Sequence, residues 1–296
     1  MPGISPDPAD APFEALRPRL FALAYRLLGS RSDAEDVVQD AWLRWHNTDQ
    51  AAIRDLEAWL VTTTTRLGID RLRVAKIERE SYPGPWLPEP LTVEEDGPEH
   101  GADIAGQVSL AFLSLLERLG PEERAAFLLK EVFEYDYAQI AELIGSSEAN
   151  CRQMVHRART RLQAERPRFE VQPDRHRRLL ERFMHAVRDG DRASIVALLD
   201  SNASLVSDGG GKVTAVIRPL QGADRIARLY WSVARRVGGE ADFRLGWVNG
   251  EPAILRWHEG RLHSISTITI DDSAGGEGRI TQVLSVLNPD KLPEMD

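Results

Sequence analysis

The chain reads as a multidomain protein: two all-α helical domains followed by an α+β domain. Three observations predict this. Its 296 residues suffice for two or three domains, each burying a core. From Phe13 to Arg166 apolar residues recur at three- and four-residue steps, interrupted by SYPGPWLPEPLTVEEDGPEHG, a stretch rich in proline, glycine and acid. Beyond Arg175 runs of alternating residues such as AILRW and LHSISTITI intervene, as half-buried strands do. The expected divisions are 1–80, a linker over 81–107, 108–168, and 175–296.

In DAEDVVQDAWLRW, Ala34, Val37, Val38, Ala41, Trp42 and Trp45 share one helix face, and Ser32 or Asp33 can cap its start. A second helix is expected from about Leu56 to Arg79, with Trp59, Leu60, Leu67 and Leu72 among its apolar positions. After the linker, breaks at Gly120-Pro121 and Gly145 divide the pattern into three or four short helices. Two further helices, Arg175–Asp189 and Arg192–Leu199, precede the strands, and another, Ala223–Arg236, interrupts them. GGEG near Gly275 reads as a hairpin loop.

No apolar run is long enough for a membrane span, the N-terminus lacks the marks of a signal peptide, and the one cysteine, Cys151, excludes an intramolecular disulfide. Together these point to a cytoplasmic protein with no membrane partner. The net charge is −9, but seven acids and no Lys or Arg lie between Glu80 and Asp103, so most of the acidity resides in one segment. A local basic patch remains compatible with that balance.

Such a patch occurs in YDYAQIAELIGSSEANCRQMVHRARTRL. Asp136 can cap a helix that Gly145 stops, and Ser147 can cap the next. On that next helix Cys151, Val155, Ala158 and Leu162 form an apolar stripe, which turns Arg152, Gln153, His156 and Arg157 outward. Two helices joined by so short a turn, the second with a basic outer face, form a helix-turn-helix. Arginine can bond guanine and glutamine adenine through paired hydrogen bonds, while Arg159 and Arg161 suit phosphates. The bland reading is a solvated basic face on an ordinary bundle, and Cys151 reads as a small core residue.

At this point the sequence resembles the extracytoplasmic-function class of sigma factors. Their fourth region carries a stretch close to IAELLGISEGTVKSRLHRARKRL; here it is IAELIGSSEANCRQMVHRARTRL, with Asn150 at the usual threonine and Arg152 at the usual lysine. DAEDVVQDAWLRW resembles the family's second region, and EAWLVTTTTRLGIDRLR its continuation. The resemblance implies a bacterial transcription initiation factor that acts on core RNA polymerase, meeting its β and β′ subunits, and on promoter DNA. By family position Asp36, Gln39 and Asp40 would meet the β′ clamp helices. Arg66, Arg71 and Arg73 would lie along the minus-ten element, with a base pocket in the loop from Thr48 to Asp55. Asn150, Arg152, Gln153, His156, Arg157 and Arg159 would serve the minus-thirty-five element. Thr65 stands where the family usually has asparagine, so the minus-ten preference does not carry over.

The chain continues for more than a hundred residues past Arg161. That part resembles the SnoaL-like, NTF2-like cone fold, which a subgroup of these sigma factors carries together with three signatures. All three are present: WLPEP (Trp86, Leu87, Pro88, Glu89, Pro90), DGGGK (Asp208, Gly209, Gly210, Gly211, Lys212) and NPDKL (Asn288, Pro289, Asp290, Lys291, Leu292). They are expected to make regulatory contacts, with the glycines permitting positive φ and close backbone approach. An unidentified small ligand of the cone domain is a further partner to consider. Asp208, Tyr230, His258 and His263 are the polar residues that an enzyme in this domain would use, although Asp208 also reads as a turn residue and the histidines as strand-surface residues. No metal-ligand cluster or phosphate-binding glycine motif is present, so no cofactor is expected. Three readings stay open: a self-regulated sigma factor, an enzyme whose helical half controls its expression, and a regulator that binds DNA alone.

Overall fold

A computed structural model describes residues 10–94, 108–163, 173–237, 241–271 and 278–293, which form ten α-helices and seven strands. The chain divides into two units. One comprises Met1–Glu78, Asp103–Gln107 and Leu115–Ala164; the other comprises Arg79–Ala102, Val108–Ser114 and Glu165–Asp296.

The first unit is helical. α1 (Ala11–Leu28) ends where Gly29 adopts φ 66° and returns its N–H to the Tyr25 carbonyl. α2 (Arg31–His46) begins two or three residues earlier than expected, because the Ser30 hydroxyl, not Ser32 or Asp33, is the cap and accepts the Asp33 N–H. α3 spans Leu56–Glu80. Leu23, Leu27, Val38, Ala41, Leu60 and Leu72 are buried, and the Phe13 and Trp45 rings stack with centroids 5.9 Å apart. Trp42, expected on that buried face, is only half-buried.

Next comes α4 (Leu110–Leu116), with its residues up to Ser114 counted in the second unit; three more helices, α5 (Pro121–Glu131), α6 (Tyr137–Ile144) and α7 (Glu148–Gln163), complete the first. Arg124 on α5 is 1 % exposed and donates to the Leu27 carbonyl at 2.6 Å and to Glu117 at 2.7 Å. A guanidinium so deep is tolerable because both a carboxylate and an orphan carbonyl at the end of α1 receive it.

The second unit is α+β. Helices α8 (Pro173–Asp189), α9 (Arg192–Leu198) and α10 (Ala223–Val237) share a core with a sheet of strands β1 (Val93–Glu94), β2 (Leu199–Asp208), β3 (Leu220–Gln221), β4 (Ala241–Val248), β5 (Glu251–His258), β6 (Arg261–Asp271) and β7 (Arg279–Val286). The strand order is β1-β4-β5-β6-β7-β2-β3, and β2 runs parallel to β7 while the other pairs are antiparallel. Register shifts at Arg256/Trp257, Thr269/Ile270 and Leu199/Ser204 bend the sheet, since an extra residue in a ladder raises local twist.

The expected linker is not a bare connector. Its β1 pairs with β4, Val93 opposite Val248 and Glu94 opposite Trp247, so residues from this segment belong to the sheet of the second unit. The acids Glu95, Asp96, Glu99 and Asp103 of that segment, and Gly275, Gly276 and Glu277 of GGEG, lie outside the described residues.

Beside the Asn249-Gly250 turn, burial pushes the Glu251 carboxyl up to about 7. The raised value means that the folded state disfavours the charged form. Stability is therefore lost as pH climbs from the unfolded value near 4.5 to about 7, and stays low above it. Glu251→Gln is expected to raise stability at pH 8 by about 1–3 kcal/mol and to leave it nearly unchanged at pH 4.5, as urea unfolding at the two pH values would read.

Candidate nucleic-acid interface and the linker cluster

The helix-turn-helix is built by its caps. Asp136 accepts the Gln139 N–H at 2.8 Å while Gln139 accepts the Asp136 N–H at 3.0 Å, a reciprocal box that starts α6. Gly145 ends it at φ 69°, and the Ser147 hydroxyl accepts the Asn150 N–H at 3.2 Å to start α7. Cys151, Val155, Ala158 and Leu162 are buried, whereas Arg152, Gln153, His156 and Arg157 are exposed.

The exposed arginines already hold acids. Arg152 reaches Glu148 at 2.7 Å with its guanidinium 5.1 Å from the Tyr137 ring centre, and Arg159 reaches Glu131 at 2.6 Å. Arg157 and Arg161 both approach Glu123, at 3.5 and 2.8 Å. Asn150 donates to the Ser146 hydroxyl at 2.9 Å. The Arg152 and Arg159 pairs, open to solvent, contribute little to stability and can exchange for phosphates at small cost, whereas Glu123, the partner of Arg157 and Arg161, is buried. The Gln153 and His156 side chains have no partner among the described residues.

In the second region Asp36, Gln39 and Asp40 are exposed along one face of α2. Arg71 joins α3 to the start of α2, its guanidinium 2.9 Å from Asp33 and 3.0 Å from Glu78. Arg73 bonds Asp70 at 2.7 Å and also Glu122 on α5. Arg66 donates to the carbonyls of Glu142 and Leu143, each at 3.1 Å. Those carbonyls belong to the last turn of α6, where backbone acceptors lack intrahelical partners and a cation complements the dipole. Thr65 is fully buried, and its hydroxyl has no hydrogen-bond partner. It faces the core of the bundle.

The three signatures meet in the second unit. Asp208 is 0 % exposed and its carboxylate accepts four bonds: from the Tyr82 hydroxyl at 2.6 Å, the Leu87 N–H at 2.9 Å, the Gly210 N–H at 3.0 Å and the Lys291 ammonium at 2.7 Å. Lys291 also donates to the Leu87 carbonyl at 2.6 Å and lies 4.1 Å from the Trp86 ring centre and 5.2 Å from that of Tyr82. The Arg79 guanidinium sits 3.4 Å from the Trp86 ring centre, a second cation over the same π-system. Burial pushes the Lys291 ammonium below its usual range, against the opposing pull of Asp208. Burial and the hydrogen bond to Asp208 raise the Tyr82 phenol well above its usual value, so it stays a donor.

Asn288 closes the cluster. It donates to the Tyr82 hydroxyl at 3.0 Å and caps the turn at Asp290, while its own N–H bonds the Asp208 carbonyl at 2.9 Å. A Cβ at Gly210 (φ 60°) would lie 2.4 Å from Asn288, and one at Gly211 (φ 70°) 2.6 Å from Pro83, so both positions require glycine for space as well as backbone angle. Leu87, Pro88 and Pro90 are buried, and Trp86, Glu89 and Leu292 half-buried. Gly209 approaches Ala215 and Val213. Lys212 pairs with Asp290 across an exposed gap beside exposed Pro289.

Two residues of this cluster carry no signal in the sequence. Tyr82 looks like part of a proline-glycine connector. Asn249 resembles an ordinary hairpin turn residue, yet its side chain accepts the Leu91 and Thr92 N–H groups at 2.8 and 3.2 Å and donates to the Val108 carbonyl at 3.0 Å.

The enzyme candidates separate. Asp208 is fully committed to the linker and offers no free basic oxygen. The expectation of strand-surface histidines fails for His263, which is half-buried on the wall of a partly open cavity and lies 2.7 Å from Arg256. The alternation of β6 permits either face, and the cavity side is the one it takes.

Among known protein families, the model of Sigma-70 region 2 matches residues 12–77 and that of Sigma-70, region 4 matches residues 109–162. These two modules define a promoter-directing subunit of RNA polymerase. The chain is 37% identical over 292 residues to the ECF RNA polymerase sigma factor SigJ of Mycobacterium tuberculosis, covering 95% of this chain and 92% of the relative. It is 32% identical over 289 residues to the probable ECF sigma factor SigI of that organism, covering 97% and 95%. The crystal structure of M. tuberculosis SigJ superposes with a TM-score of 0.75 at 34% identity, over 95% of this chain and 97% of that one. The chain belongs to the ECF RNA polymerase sigma factors, which bind core polymerase and promoter DNA and direct initiation. The α+β part accords with the fold class expected, and no helix among the described residues is long and apolar enough to cross a membrane.

Proposed function

We propose that Asp36, Gln39 and Asp40 dock on the β′ clamp helices, that Arg66, Arg71 and Arg73 line the minus-ten element, and that Asn150, Arg152, Gln153, His156, Arg157 and Arg159 serve the minus-thirty-five element. The loop from Thr48 to Asp55, including the short turn Gln50–Ala52, holds the flipped minus-ten base. The protein acts in the cytoplasm with polymerase as its catalytic partner. The observation that carries the reading is the two-sided α7, whose apolar stripe is wholly buried while its groove-reading residues are exposed. The linker cluster around Asp208 makes WLPEP, DGGGK and NPDKL the regulatory contacts that govern the reach between the two promoter-reading parts. In the free chain Arg66 is bonded to the helix-turn-helix, so promoter reading begins with release of those two bonds.

Arg152→Ala tests the base-reading assignment. It is expected to cost about 1–3 kcal/mol of discrimination between a cognate promoter and one altered in the minus-thirty-five element. Transcription by purified core polymerase measures it. Unchanged discrimination in Arg152→Ala and in Arg152→Ala/Gln153→Ala together would reject the assignment.

A further inference from the structure

The second unit holds a partly open cavity of about 640 Å³, within the range of pockets that take small organic ligands. Its walls are largely apolar, including Phe183, Val187, Leu205, Phe243 and Ile254, and among the described residues no Asp or Glu lines it. Several of its polar groups fall into two neighbouring sets. Arg256 lies 2.7 Å from the Nδ1 of His263, the Tyr230 hydroxyl engages Ser285, and Ser285 and Ser266 hydroxyls are 2.8 Å apart. Tyr230 and Arg256 are near enough for each to feel the other's charge.

The character of these groups is donor-rich. A guanidinium carries only donors, so His263 Nδ1 must accept from it, which leaves the ring neutral with its proton on Nε2. Burial and the neighbouring Arg256 and His258 lower the His263 ring in the same sense. Arg256 has a buried Nε with no partner, and its one described hydrogen bond goes to a neutral ring. Burial without a counter-charge is costly for a guanidinium, and its five donors match a carboxylate best. The other cations on the lining are differently placed: Lys212 is paired with Asp290 and Arg236 is exposed.

We propose that this cavity binds an apolar molecule bearing a single carboxylate, with Arg256 as its counter-ion, Tyr230 as a second donor and the apolar walls holding the tail. Ser207 and Lys212 also line the cavity, so an occupant touches the segment that carries Asp208. The site is independent of the promoter-reading residues and does not rest on their assignment.

The test is calorimetric titration of the full chain with octanoate, octan-1-ol and octylamine. Octanoate is expected to bind at least tenfold more tightly than octanol, and octylamine not measurably. Arg256→Met, similar in length and apolar, should abolish the preference for octanoate over octanol, and Tyr230→Phe should weaken octanoate severalfold with an unchanged melting temperature. Equal affinity for octanoate and octanol in the natural chain would overturn the proposal, as would no binding of any of the three. Retention of octanoate affinity in a folded Arg256→Met chain would overturn it too. If Arg256→Met does not fold, the natural chain's preference and the Tyr230→Phe response decide.

Discussion

Asp208→Ala is expected to destabilise the second unit by about 3–5 kcal/mol, because it leaves the Lys291 ammonium buried without its counter-charge. The Asp208 carboxylate is wholly enclosed and satisfies the Leu87 and Gly210 N–H groups, the Tyr82 hydroxyl and the ammonium together. Removing it strands four donors at once. Lys291→Met added to Asp208→Ala should recover part of the loss, since the orphan charge goes with it; the coupling is expected at about 1–3 kcal/mol. Urea unfolding gives the energies, and amide exchange over residues 82–94 shows whether the linker has come loose. A folded Asp208→Ala chain with the natural midpoint and unchanged protection of Leu87 would mean that the carboxylate does not hold the linker.

Reversing Asp36 and Asp40 to lysine should weaken binding to core polymerase by at least about a hundredfold, roughly 2.7 kcal/mol. Both side chains are exposed on α2, away from the face that buries Val37, Val38 and Ala41, so the melting temperature should not change. The natural chain's affinity should fall as salt rises and the variant's should not, because only the former gains from attraction to a basic partner. Full core binding by a correctly folded double variant would refute the docking face.

Much of this was legible before any coordinates. Asp136, Gly145, Ser147 and the stripe from Cys151 to Leu162 announce the helix-turn-helix because caps and periodicity are local. The three signatures mark where the linker cluster forms, but not its bonds. Tyr82 bonds a carboxylate 126 residues away, a distance no local pattern encodes. The parallel pairing of β2 with β7 is likewise a matter of topology. Arg256 sits in AILRW, where alternation separates two faces of a strand without telling which of them borders a cavity. Ser30 escaped as the cap of α2 because three nearby polar residues offer equivalent chemistry and only geometry selects among them. The engagement of Arg66 with α6 was out of reach for another reason: a basic residue suited to phosphates looks the same in sequence when it is bonded to a helix end.

The linker cluster also has a consequence for synthesis on the ribosome. Lys291 lies 204 residues beyond Leu87, to whose carbonyl it donates. At about 5–20 residues per second, roughly 10–40 s separate the appearance of the two on the nascent chain. The helices of residues 12–77 precede that interval and those of residues 109–162 are translated within it, while Trp86 and Leu87 still lack the groups that cover them. A message broken before codon 291 would yield a protein with both promoter-reading parts and an uncovered apolar linker, a natural target for proteolysis. Docking of Lys291 thereby waits until translation has passed codon 291, and only chains that carry it present the linker in its closed form.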